Sequence, residues 1–164
     1  MEKRFLVLSF AAAGLILSGA SQAATTKPME VMATVASACT LDVSKVDFGV
    51  FVGTDLPATG TVSVMCNPGL LYKIGMTAGT NPDGVKNRQM ADGSGNKFLK
   101  YRLSYLGDDW GDAGMTNTTN VTHKPVTGIG TGAVDQFTVE GLIWATNAPA
   151  PGTYSDTVMV TVAF

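Results

Sequence analysis

Few residues in this 164-residue chain are of types that could do chemistry. His123 is the only histidine, in the stretch Asn120-Val121-Thr122-His123-Lys124. A general base needs a partner nucleophile and an orienting group, and neither can be proposed beside it, so a solvated loop histidine is the better reading. Cys39 and Cys66 are the only thiols. Two cysteines and one histidine are too few for an ordinary zinc site. Asp108 and Asp109 precede Trp110-Gly111-Asp112. Carboxylates clustered beside a tryptophan could bind a sugar or Ca²⁺, but the spacing lacks the order of a calcium loop, and a solvated turn fits better. Asn117-Thr118-Thr119 and Asn120-Val121-Thr122 match glycosylation sequons, a short pattern that arises by chance in Thr- and Asn-rich chains. No glycine-rich segment stands between a strand and a helix, as a phosphate cradle requires. The expectation is a protein that is not an enzyme, with no catalytic residue, no metal and no cofactor.

The ends of the chain say where it goes. Lys3 and Arg4 precede an apolar run, Phe5 to Leu17, and Ser21-Gln22-Ala23 supplies small residues at a cleavage site. The run is short for a membrane span. Residues 1–23 therefore read as a secretory signal peptide cut between Ala23 and Ala24, with a signal anchor as the alternative. Removing Glu2, Lys3 and Arg4 leaves 9 basic and 12 acidic residues, a net charge near −3. These charges form no block or stripe, so no nucleic-acid partner is expected. In an exported chain the even cysteine count reads as a Cys39–Cys66 disulfide, with two free thiols as the alternative.

The elements that carry these residues are strands. Nineteen glycines and many Thr, Val and Asn residues accompany an absence of any long amphipathic helical pattern. Residues 24–38 alternate, with Met29, Val31, Ala33 and Val35 on one face and Glu30, Met32, Thr34 and Ala36 on the other. They form an ordinary first strand or a free arm. A short strand is expected over Val46 to Phe51, a turn at Pro57 to Gly60, strands over Thr61 to Cys66 and Leu71 to Ala78, and a turn between them at Asn67-Pro68-Gly69. Gly79 to Gly95 reads as a long loop or weak hairpin. Phe98 to Leu106 and Asp135 to Trp144 are two-faced strands, separated by a polar excursion, Gly107 to Gly132, around Trp110. After a turn at Asn147 to Gly152 comes a closing strand to Phe164, with Tyr154, Val158, Val160, Val162 and Phe164 on its apolar face. Six or seven strands at this length predict an all-β, immunoglobulin-like sandwich. The cysteines would tie its first strand to its second.

Several of these segments together carry a resemblance: Ala38-Cys39-Thr40, Asp47-Phe48-Gly49, Val62 to Cys66, Tyr101 to Tyr105, Trp110-Gly111-Asp112, and Gly152-Thr153-Tyr154-Ser155-Asp156-Thr157-Val158 running on to Phe164. The chain resembles the spore coat protein U domain family, which includes subunits of archaic chaperone–usher pili. The resemblance implies an incomplete immunoglobulin-like β-sandwich, completed by a donor strand from a neighbouring subunit. Its implied layout is a signal peptide over 1–23, an N-terminal donor-strand arm over 24–36 and the pilin domain over 37–164. Met29, Val31, Ala33 and Val35 would be the donor face. Val158, Val160, Val162 and Phe164 would line the acceptor groove. The implied partners are other pilus subunits in a head-to-tail polymer, a periplasmic chaperone and an outer-membrane usher. The product would be exported through the periplasm to the cell surface or secreted, supporting adhesion or biofilm formation. Pro28 departs from a simple donor strand because it cannot donate to a ladder. Two other readings stand beside this one: a secreted coat or matrix protein of the same fold, and a small carbohydrate- or calcium-binding module built on Gly107 to Gly132.

Overall fold

A computed structural model of the protein describes residues 23–83, 88–112 and 123–164. Residues 1–22 and both glycosylation sequons lie outside these. The chain divides into two units, 1–34 and 35–164. In the first, residues 23–34 form no strand, and Met29, Val31 and Met32 are each more than 85% exposed. An apolar segment without a ladder or a covering layer gains nothing from burial, and the alternation at 24–38 builds no first strand.

Residues 35–164 are all-β, with no helix among the described residues. In chain order the strands are β1 (Cys39–Val43), β2 (Leu56–Cys66), β3 (Leu71–Met76), β4 (Arg88–Asp92) and β5 (Phe98–Tyr105). They continue with β6 (Asp108–Asp109), β7 (Val126–Ile129), β8 (Val134–Ile143), β9 (Tyr154–Ser155) and β10 (Val160–Ala163). One sheet runs β1-β2-β8-β5-β4-β9, with β6 also on β5; the other runs β10-β3-β7. Every named pair is antiparallel. The alternation in β2, β5 and β8 sends Val62, Val64, Leu99, Tyr101, Leu103, Val139 and Ile143 inward, where they meet Tyr72, Ile74 and Met76 of β3. Two sheets closed over one core make the expected sandwich.

Several local expectations fail for identifiable reasons. Residues 44–53 carry no strand; the first strand is instead Cys39–Val43. Val46 and Phe48 pack on the core from this loop, each lying over Gly141 of β8. A Cβ on Gly141 would sit 2.8 Å from the Phe48 ring, so only glycine admits this close approach. Pro57 to Gly60 is not a turn but the start of β2. Pairing with β1 ends at Val43↔Val62, so Pro57 sits where β2 has β8 on one side only, a place a proline tolerates. The segment 79–95 supplies β4, which forms a hairpin with β5 turned at residues 93–97.

Trp110, within the excursion, is also core rather than surface. Trp110 is 1% exposed and its indole N–H donates to the Ile74 carbonyl at 2.9 Å. Its ring packs against Tyr105 and Phe137. A buried tryptophan with its one donor satisfied is a packing element. Arg88 on β4 is 6% exposed and donates to the carbonyls of Thr77 (2.9 Å), Met76 (3.1 Å) and Trp110 (2.6 Å). Burial pushes its pKa down, opposed by the nearby Tyr101, Asp109, Asp156 and Asp112.

Candidate functional site: an open groove along the closing segment

Cys39 and Cys66 are bonded, and they face each other in the β1–β2 register. At the same end Asn67 holds the chain where residues 35–38 enter the domain. Its side-chain oxygen accepts from Ala38 N–H at 2.6 Å, and its own N–H donates to the Ala38 carbonyl at 3.1 Å. Val35, just before this clamp, is 85% exposed.

The closing stretch is not one strand. β9 pairs with β4 in the larger sheet, whereas β10 pairs with β3 in the smaller one. Residues 156–159 cross between them. The crossing is organised by Asp156, the one polar side chain on the face that carries Tyr154, Val158 and Val160. One carboxylate oxygen accepts from Thr80 N–H (2.8 Å), Thr80 Oγ1 (2.6 Å) and Thr157 N–H (2.8 Å); the other accepts from Tyr101 O–H (2.6 Å). Burial, then this bond, pushes the Tyr101 pKa far above its usual value. Gly79, at φ +88°, lies against the carboxylate, and any Cβ there would collide with it.

Because the segment changes sheets, the sandwich is left open beside it. A groove of about 1080 Å³ runs along it. One side is formed by Val43 and the following loop to Phe51, the other by residues 147–158 and Val160. Core side chains reach its interior, among them Val62, Met76, Leu103, Val139 and Ile143. Among the described residues β10 pairs only with β3, and β1 only with β2, so each is an edge of its sheet. An open edge beside apolar core is a template for another strand.

Of the residues expected to line this groove, Val158 and Val160 do. Val162 packs on the core farther along β10, opposite Ile74, and Phe164 is 56% exposed; neither belongs to the lining. Sequence reasoning missed Tyr154, Asp156 and the loop carrying Val46 and Phe48. A single carboxylate breaking the period-two apolar face was the available signal for Asp156.

The alternative sites resolve differently. Asp109 binds the Arg102 guanidinium and lies 3.2 Å from His123 Nε2, tying β5 to the segment that follows residue 122. Among the described residues no group of three or more His, Cys, Asp or Glu is arranged to hold a metal. With Trp110 buried, the Asp108–Asp112 cluster offers no aromatic face on which a sugar could stack.

The model of the Spore Coat Protein U domain matches residues 25–161, nearly the whole chain. The chain belongs to this family. No curated protein matches it in sequence. Among solved structures it is similar to a chain of the complex between CsuC and CsuE, the chaperone–tip adhesion subunit pre-assembly complex of archaic chaperone–usher Csu pili from Acinetobacter baumannii. The identity is 25% and the TM-score 0.58, over 80% of this chain and 40% of that one. This spore coat protein U domain thus spans well under half of that chain's length. A weaker likeness is to HdaB, the minor tip subunit of the Escherichia coli Hda pilus, at 17% identity and TM-score 0.38 over 76% of this chain and 79% of that one.

Proposed function

We propose that this protein is a structural subunit of a chaperone–usher pilus, in which residues 24–36 of one copy fill the groove of the next. The single observation that carries the reading is the groove itself. It is more apolar than polar, it exposes core side chains, and it reaches the ends of two edge strands, at Val43 of β1 and Val160 of β10. A segment of matching chemistry exists in the same chain, with Met29, Val31, Ala33 and Val35 at period two and Met29, Val31 and Val35 each at least 85% exposed. An extended strand laid along a sheet edge gains main-chain hydrogen bonds and fills pockets with alternate side chains. A copy that donates at one end and accepts at the other makes an interface that does not close on itself, hence a fibre.

On this reading residues 1–23 are removed on export, and the disulfide forms in the oxidising periplasm. A periplasmic chaperone covers the groove until an outer-membrane usher delivers the next subunit. The likeness to a chain of a chaperone–pilus subunit complex supports a chaperone and other pilus subunits as partners. In this role the protein binds through a strand and a groove, without catalysis.

The test uses exported protein lacking residues 25–36, supplied alongside the intact protein. It should accept a donor strand but not provide one, so fibres shorten as its share rises. Fibres of unchanged length at every ratio would refute the reading.

A further inference from the structure

The Asp156 cluster invites a question that the pilus reading leaves open: what keeps the groove open before any strand enters? Asp156 stands on the apolar face of the closing segment and lines the groove, yet all four of its hydrogen bonds run to this chain's own groups. It is therefore not waiting for a ligand. Its partners come from the loop after β3 and from β5, which lie in different sheets. Immediately before it the chain belongs to β9 in the larger sheet; four residues after it, β10 begins in the smaller one. From the positions of these bonds, we infer that Asp156 is the positioning residue of the groove, a latch that fixes where the closing segment crosses between the sheets and so keeps the groove open to an incoming strand.

The inference rests on the proposed function, since it supplies that function's preorganised acceptor. Without the latch, the apolar run Val158 to Val162 can slide toward Tyr154 or collapse onto the exposed core. Each such state closes the groove, and the apparent affinity for a strand falls with the fraction that stays open. The glycine at position 79 fits the same role, because the carboxylate occupies the space a side chain would need.

The experiment measures binding of a labelled synthetic peptide of residues 25–38 to exported protein, for the native sequence, Asp156→Asn, Thr80→Val and Tyr72→Phe. Thr80 is outside the groove lining and touches it only through Asp156. Tyr72→Phe breaks a comparable bond, Tyr72 O–H to Asp135 at 2.8 Å, away from the groove, and serves as the structural control. Losing one charge-assisted bond should weaken peptide binding about tenfold in both latch variants, while Tyr72→Phe binds as the native protein does. Equal affinity in all four would overturn the latch, as would a loss in Tyr72→Phe matching the others, which would mark a general loss of stability. If the native protein itself ignores the peptide, the pilus reading fails, and the latch with it.

Discussion

Replacing Arg88 by methionine should destabilise the folded domain by about 3 kcal/mol, at roughly 1 kcal/mol net for each hydrogen bond lost. The guanidinium donates to three main-chain carbonyls, of Thr77, Met76 and Trp110, and is 6% exposed. Two opposing terms decide the size. The carbonyls lose a charged donor in a site with little water, which costs stability. Methionine avoids burying a cation, which returns some of it, and fills similar space. The first term should win because three acceptors depend on one side chain. Arg88→Lys separates charge from shape. An ammonium keeps the charge but cannot span three carbonyls as a planar fork does, so lysine should recover less than half of the loss. The assay is denaturant unfolding of the oxidised, peptide-bound protein, read as the shift in midpoint at constant slope. A loss below about 0.5 kcal/mol for methionine, or full recovery by lysine, would refute the view that the fork holds β3, β4 and the Trp110 segment together.

Further outcomes follow from the same geometry. Cys66→Ser should lower stability by about 3 kcal/mol, the chain-entropy value for a bridge of this span, because the disulfide closes a separation of 27 residues; an unchanged melting temperature would contradict this. Burial and the bond to Asp135 push the Tyr72 phenol up to about 12. Its folded pKa lies above the unfolded value near 10, so its contribution is complete below pH about 10 and is lost as pH rises through about 12. An absorbance titration of Tyr72→Phe should therefore lack a step near pH 12; loss of a step near pH 10 would refute the burial argument. Gly79→Ala should disturb the Asp156 carboxylate and lower the melting temperature, whereas substitution at Gly95, where a Cβ meets nothing within 4 Å, should cost less despite a similarly positive φ; equal losses at both positions would refute the clash.

How far the sequence could be read depended on which force set each element. Where period-two alternation met full burial, as at Tyr72, Ile74 and Met76 or Leu99, Tyr101 and Leu103, the strands lie where the pattern puts them. The disulfide likewise followed from the cysteine count. Elements set by long-range contacts were not legible. Pro57 looks like a turn residue locally, and only the end of β1 beside it makes a strand possible. Trp110 sits among aspartates and glycines, and its burial depends on Ile74, thirty-six residues earlier. The closing stretch reads as one continuous strand because alternation carries no information about which sheet pairs with it. The groove follows from that division, so Val158 and Val160 lie along it while Val162 and Phe164 lie beyond it.

The most direct test of the donor-strand account is intermolecular crosslinking between copies of the full chain. One cysteine replaces Val160 in the groove, and a second is placed in turn at each position from Met29 to Val35. The account predicts a ladder of disulfide-linked oligomers on non-reducing gels at positions within the set 29, 31, 33 and 35, and little at 30, 32 and 34, because alternate side chains of a strand face one way. A single monomeric band at every position, or crosslinking with no period of two, would contradict it.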